Sequence, residues 1–183
     1  KMSPKYWYAP ALAPAVIASL FINWDLWAVA PALLAIYWFD RRVDLLSSLA
    51  LGVSIATKFF PIVLLIPIAL ICFRREEIQR FAKYLAIAAG TFILINLPFA
   101  ITTPKGWWRF YSMNLNRGSD WGSVWYALSG LGIDLTHQNY LSILTLAIGI
   151  TALIIYLLQL RKTPTLADIA VMAMIIVMAV SKV

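Results

Sequence analysis

Long apolar runs, each broken near its middle by a polar group, constrain this chain more than any other feature. Residues 9–39 and 45–73 are apolar stretches of about 30 residues; the first is interrupted by Asn23-Trp24-Asp25, the second by Thr57-Lys58 followed by Pro61. Further runs occupy 84–101, 140–160 and 165–180. A helix rises about 1.5 Å per residue, so about 20 mostly apolar residues cross a hydrocarbon core of ~30 Å. Of 183 residues, 62% are apolar and 13% charged, against about half and about a quarter in a soluble domain. Disordered, collagen-like and disulfide-rich secreted classes are excluded, and Cys72 has no second cysteine in the sequence to pair with. A net charge of +7 would suit a nucleic-acid binder, but runs this apolar do not, so no nucleic acid partner is expected. The expected class is an all-α membrane protein, a polytopic helical bundle with short or broken helices.

Each broken stretch is either one long tilted helix carrying a charge or a hairpin of two short helices. Cytoplasmic loops collect Lys and Arg. With hairpins, ten of the fifteen basic residues lie inside; Lys58, Lys105, Arg109, Arg117 and Lys182 lie outside. With single long helices the contrast falls to eight against six and strands Lys58 at mid-membrane, where a charge costs about 2.5–3.5 kcal/mol. The hairpin reading predicts spans at about 6–22, 26–39, 45–57, 59–73, 84–101, 140–160 and 165–180, with an extracytoplasmic loop at 102–139. The short arms would reach only about 20–25 Å. Their turns would then dip below the outer surface, where irregular backbone survives only in protein or beside a wet cavity. The hairpin tips are therefore expected to line a cavity open to the outside.

The 102–139 loop is rich in polar and aromatic residues. Trp121, Val124, Trp125 and Leu128 recur at helical spacing, predicting a short amphipathic helix capped by Ser119 or Asp120 and broken at Gly130–Gly132. Pro10, Pro14, Pro31, Pro61, Pro67 and Pro98 in or near apolar runs fit kinked helices. With one His and one Cys there is no metal-ligand spacing, and there is neither a glycine-rich phosphate loop nor a Ser/His/Asp set. No metal and no cofactor are expected. The chain opens at Lys1, and an apolar run ends at Ser181-Lys182-Val183. It is expected to be the central piece of a longer protein, with part of an active site outside it.

Each candidate group has two readings. Asp25 is a carboxylate orienting a polar substrate at a cavity rim, or a wet turn residue. Lys58 is an ammonium holding a phosphate through three donors, or a snorkelling cation paired with Asp25. Arg117 and Asp120 bind phosphate and sugar hydroxyls respectively, or form a surface ion pair worth little. Trp107, Trp108, Trp121 and Trp125 belong to an interfacial belt, or one of them stacks on a sugar. His137 is a base or a polar loop residue, and Lys182 snorkels or faces the same compartment as Lys58. Asp25, Lys58, Arg117, Asp120 and Lys182 are all expected on one side of the membrane. Together with the aromatics, this suits a polyprenyl-phosphate head group.

Asn23-Trp24-Asp25-Leu26 and the run Gly52 to Pro61, with its Gly-x(5)-Lys-x-x-Pro pattern, resemble glycosyltransferase family 87. Asn96-Leu97-Pro98-Phe99, Gly106-Trp107-Trp108 and the stretch from Arg117 to Tyr126 follow in the order of that family, and Ser181-Lys182-Val183 resembles the lead-in to its Ser-Pro-Gln segment. The resemblance covers nearly all of the sequence. It implies a GT-C-type membrane enzyme that moves mannose, or in relatives arabinofuranose, from a polyprenyl-phosphate sugar to a lipid-linked or cell-envelope glycan outside the cytoplasmic membrane. It implies inversion at the anomeric carbon, with a carboxylate base typically on the first outer loop, a region expected upstream of Lys1. Asp25 is then at most supporting, no catalytic residue is assigned, and the substrate-binding candidates are Asp25, Lys58, Arg117, Asp120, Trp121 and Lys182. The rival classes are a secondary transporter, which also uses broken helices and midplane charges, and a non-catalytic assembly subunit. A transporter should carry an inverted repeat, and none is evident.

Overall fold

The computed structural model describes residues 25–116, 118–121, 123–133 and 135–181, without the side chain of Asp25. The span expected at 6–22 lies outside the described residues, as do Arg117 and Lys182. All regular structure among the described residues is helical: α1 (Asp25–Asp40), α2 (Asp44–Thr57), a 3-10 segment (Phe60–Leu64), α3 (Leu65–Arg74), α4 (Ile78–Thr102), α5 (Pro104–Asn116), α6 (Val124–Gly130), α7 (Gln138–Gln159) and α8 (Leu166–Val180). Two of these, α4 and α7, are long and apolar enough to cross a membrane. The chain divides into two compact units, 1–62 with 84–92 and 63–83 with 93–183.

In the first unit α1 and α2 pack as an antiparallel pair whose register is set by hydroxyl groups. Ser47 Oγ donates to the carbonyl of Ala35 at 2.6 Å, and Ser54 Oγ to that of Ala28 at 2.7 Å. Both contacts are buried, and the α1 face they meet is small: Ala28, Ala32 and Ala35 are all buried. Small side chains let the backbones approach until a serine on one helix reaches a carbonyl on the other. The middle of α4 adds Tyr84, whose hydroxyl pairs with Ser47 Oγ at 2.8 Å and whose ring meets Phe39 edge-on at 5.7 Å. Gly52 is the contact point between α2 and α4, for a Cβ there would lie 2.6 Å from the Ala88 carbonyl oxygen.

The turn between α1 and α2 is tight. Arg42 takes a left-handed φ of 64°, its N–H bonds the Phe39 carbonyl, and the N–H of Val43 bonds that of Trp38. This is a Schellman ending with arginine where glycine is usual. The same device closes α3: Glu76 has φ 58°, and the N–H groups of Glu76 and Glu77 reach the carbonyls of Phe73 and Cys72. Among the described residues glycine appears in this role after α6, at Gly132 with φ 82°.

The second unit holds α3 and α5 to α8 with the two ends of α4. Gly149 of α7 lies against Ile176 of α8, where a Cβ would approach Ile176 Cγ2 to 2.7 Å. The Arg74 guanidinium donates to the carbonyls of Leu157 and Leu160 at the end of α7, the first of which also takes the N–H of the cap residue Leu160. A capping box at Thr165 and Asp168 opens α8. The segment 102–139, expected as a loop with one short helix, contains two. Thr103 alone separates α4 from α5, and Pro104 starts α5 at a position where a missing N–H costs nothing. The short helix begins at Val124 rather than Trp121. Its cap is Ser123, not Ser119 or Asp120: Ser123 Oγ accepts the Tyr126 N–H at 3.1 Å.

Candidate functional site

The pattern from Gly52 to Pro61 describes a helix that packs, stops and restarts. Pro61 has no N–H for the Thr57 carbonyl four residues back, and its ring would clash with it; α2 ends at Thr57. Lys58 then turns extended, φ −145° and ψ 138°, while its N–H still bonds the Ser54 carbonyl at 3.1 Å. Lys58 is half-buried. Beside it Phe59 meets Phe92 edge-on at 6.4 Å, and Pro61 is fully buried.

The serine rungs decide which end of α1 lies beside this break. Ser54 faces Ala28, so three residues further along, about 4.5 Å of helix, the start of α1 at Asp25 stands level with Thr57. Two of the sequence candidates, Asp25 and Lys58, therefore belong to one end of one helix pair.

Two others, Asp120 and Trp121, share a turn in the second unit. Asp120 Oδ1 accepts the Trp121 N–H at 2.8 Å, and the Asp120 carbonyl accepts both the N–H and the hydroxyl of Ser123. Trp121 is 83% exposed and stacks on Tyr126, with the rings 5.6 Å apart and 15° from parallel. Trp125 differs from the surface aromatic expected of it: it is buried and its Nε1 donates to the Val180 carbonyl at 2.9 Å, tying α6 to the end of α8. Immediately beyond, Ser181 leaves the helix. Trp107 is likewise held from within, donating to Asn96 Oδ1 at 3.0 Å and lying 4.9 Å from the Tyr111 ring. Burial among these rings pushes the Tyr111 phenol above its ordinary value. Trp108 remains outward. His137 precedes α7, with its ring 6.2 Å from that of Tyr140.

Sequence reasoning passed over Ser47, Ser54, Tyr84 and Arg74. Polar residues inside or at the ends of apolar runs were the available signal for all four. Among the described residues no group of three or more His, Cys, Asp or Glu side chains gathers as a metal site would require.

A protein whose described residues form helices alone, two of them long and apolar, with a lysine at a helix break, is the class that these observations define. A family model for glycosyltransferase family 87 matches residues 4–181, nearly the whole chain, and the chain belongs to that family. No curated protein and no solved structure gives a significant match.

Proposed function

We propose that this chain serves a GT-C-type, multi-pass glycosyltransferase of the cytoplasmic membrane. In this reading it moves a sugar, mannose foremost, from a polyprenyl-phosphate donor to a lipid-linked or cell-envelope glycan on the extracytoplasmic side. Family membership supports glycosyl transfer. The bilayer is supported by how little of the long helices the chain itself covers: 6% of the most apolar window of α4 and 17% of that of α7 are buried. Surfaces this apolar and this bare are otherwise aggregation hazards.

The observation that carries the site is the half-buried Lys58 in the gap after α2, level with the start of α1. In the proposed reaction an acceptor hydroxyl oxygen forms a bond to the anomeric carbon as the bond from that carbon to the lipid phosphate breaks, inverting the centre. The hydroxyl proton passes to a carboxylate, and the leaving phosphate keeps the bond's electron pair, its charge held by cations. Lys58 takes the role of phosphate anchor. Asp25, at the same end of the α1–α2 pair, takes a sugar hydroxyl; the second unit, taken by itself, offers a sugar the Asp120 carboxylate and the Trp121 ring, with Arg117 and Lys182 as its cations. The base is assigned to none of them, and Asp25 supports at most.

The test uses membranes carrying the full-length protein, with radiolabelled polyprenyl-phosphate mannose and, in parallel, polyprenyl-phosphate arabinofuranose. Lys58→Ala is expected to lower transfer on the order of 10²–10³-fold, the scale of losing one charge-stabilising donor, with expression unchanged. Unaltered transfer in that variant removes Lys58 from the site, and no transfer by the unmodified protein removes the reading.

A further inference from the structure

Arg74 does more than close a helix. By donating to the carbonyls of Leu157 and Leu160 it fastens the end of α3 to the end of α7, within one unit of the fold. The chain neighbours on the two sides of that fastening are Arg75 on one and Arg161 and Lys162 on the other, all three exposed. Residues 86 positions apart are thus drawn into one cationic patch.

The acidic residues nearby do not neutralise it. Glu77 is engaged by Arg80 at 2.9 Å, and the exposed Glu76 offsets one charge more. Arg74, Arg75, Arg80, Arg161 and Lys162 against Glu76 and Glu77 leave an excess of three positive charges. Bare apolar side chains lie within three residues of the cations along the chain: Phe73 precedes Arg74, Leu158 comes three before Arg161, and Ile78 opens α4, each at least half exposed. A free phosphate would have no use for that apolar shoulder, nor would a soluble acidic peptide need it at the mouth of two apolar helices. A molecule with an anionic head and hydrocarbon chains matches both halves.

We propose that the turn after α3 and the turn after α7 together form a binding site for the head group of an anionic phospholipid, with Arg75, Arg161 and Lys162 as its cations and Phe73 and Leu158 against the chains. The site rests on the membrane reading given above and uses none of the residues proposed there to bind the sugar donor. It gives α3 and α7 a common anchor at one leaflet, where basic residues are drawn to anionic lipid.

The experiment takes the full-length protein in nanodiscs of mixed phosphatidylglycerol and phosphatidylcholine, extracts it into mild detergent and counts retained lipids by native mass spectrometry. The unmodified protein is expected to keep phosphatidylglycerol in preference. The variant Arg75→Gln/Arg161→Gln/Lys162→Gln should lose that preference on the order of tenfold, whereas Lys105→Gln/Arg109→Gln, with as exposed a pair of charges on α5, keeps it. Equal retention of both lipids by the unmodified protein overturns the proposal, as does undiminished preference in the triple variant. Failure to enter nanodiscs at all would instead strike the membrane reading, so the two failures are told apart.

Discussion

At Gly52 a single methyl group is too much. The nearest atoms to a Cβ there are Thr91 Cβ at 2.5 Å and the Ala88 carbonyl oxygen at 2.6 Å. Because the second is backbone, no rotamer change relieves it. Gly52→Ala is expected to destabilise the protein by about 1–3 kcal/mol, read as a lower Tm in thermal unfolding, and adding Thr91→Ala should recover only part. The opposite sign is expected at Glu76, where a non-glycine residue sits at φ 58°. Glu76→Gly removes a left-handed penalty of roughly 1 kcal/mol and should raise Tm. At this scale the family-like pattern from Gly52 to Pro61 is legible in the sequence, but its meaning is only half so. Lysine and proline interrupting an apolar run announce a helix break. Which helix the glycine admits depends on residues about 40 positions away, and no local pattern carries that.

Among the elements, α6 is where local reasoning goes furthest astray. The recurrence of apolar residues from Trp121 to Leu128 is real, yet Trp121 stays outside the helix because Asp120 and Ser123 fold the preceding turn with three hydrogen bonds. Serine caps compete with helix in this way wherever a hydroxyl can reach an amide two or three residues on. Once α6 is formed, Trp125 ties it to α8 through one N–H. Trp125→Phe keeps an aromatic ring but loses the five-membered half of the buried indole with its donor, leaving the Val180 carbonyl without it. A loss of about 1 kcal/mol is expected, with faster amide exchange in α6 and the last turn of α8 than in α7. Helix α5 is illegible for another reason: Pro104 and Gly106 read as loop punctuation, whereas proline is at home in a first helical turn.

For the molecule as a whole, the division of basic residues between loops is the part of the proposed topology that the sequence states most openly. It predicts sidedness. In cells, cysteines placed at Asp25 and at Asn116 should both react with a membrane-impermeant maleimide from outside, and one at Glu76 should react only after permeabilisation. Labelling of positions 25 and 116 from opposite sides would rule out the hairpin arrangement. The candidate site is less legible than the topology, because a lone lysine or tryptophan has a bland reading until its neighbours are known. Asp25 and Lys58 are 33 positions apart in sequence, and only the serine rungs set them level.

Those rungs have a mechanical consequence. They are spaced seven residues apart on both helices, 47 and 54 against 35 and 28. Sliding α1 past α2 by part of a turn would therefore break both bonds at once, although a full turn would bring other main-chain carbonyls of α1 within reach of the hydroxyls. What marks out the seated step is the small face of Ala28, Ala32 and Ala35, buried where the backbones come close, so where the first helix begins beside the broken second one is decided by three methyl groups and two small alcohols set well back along the shaft.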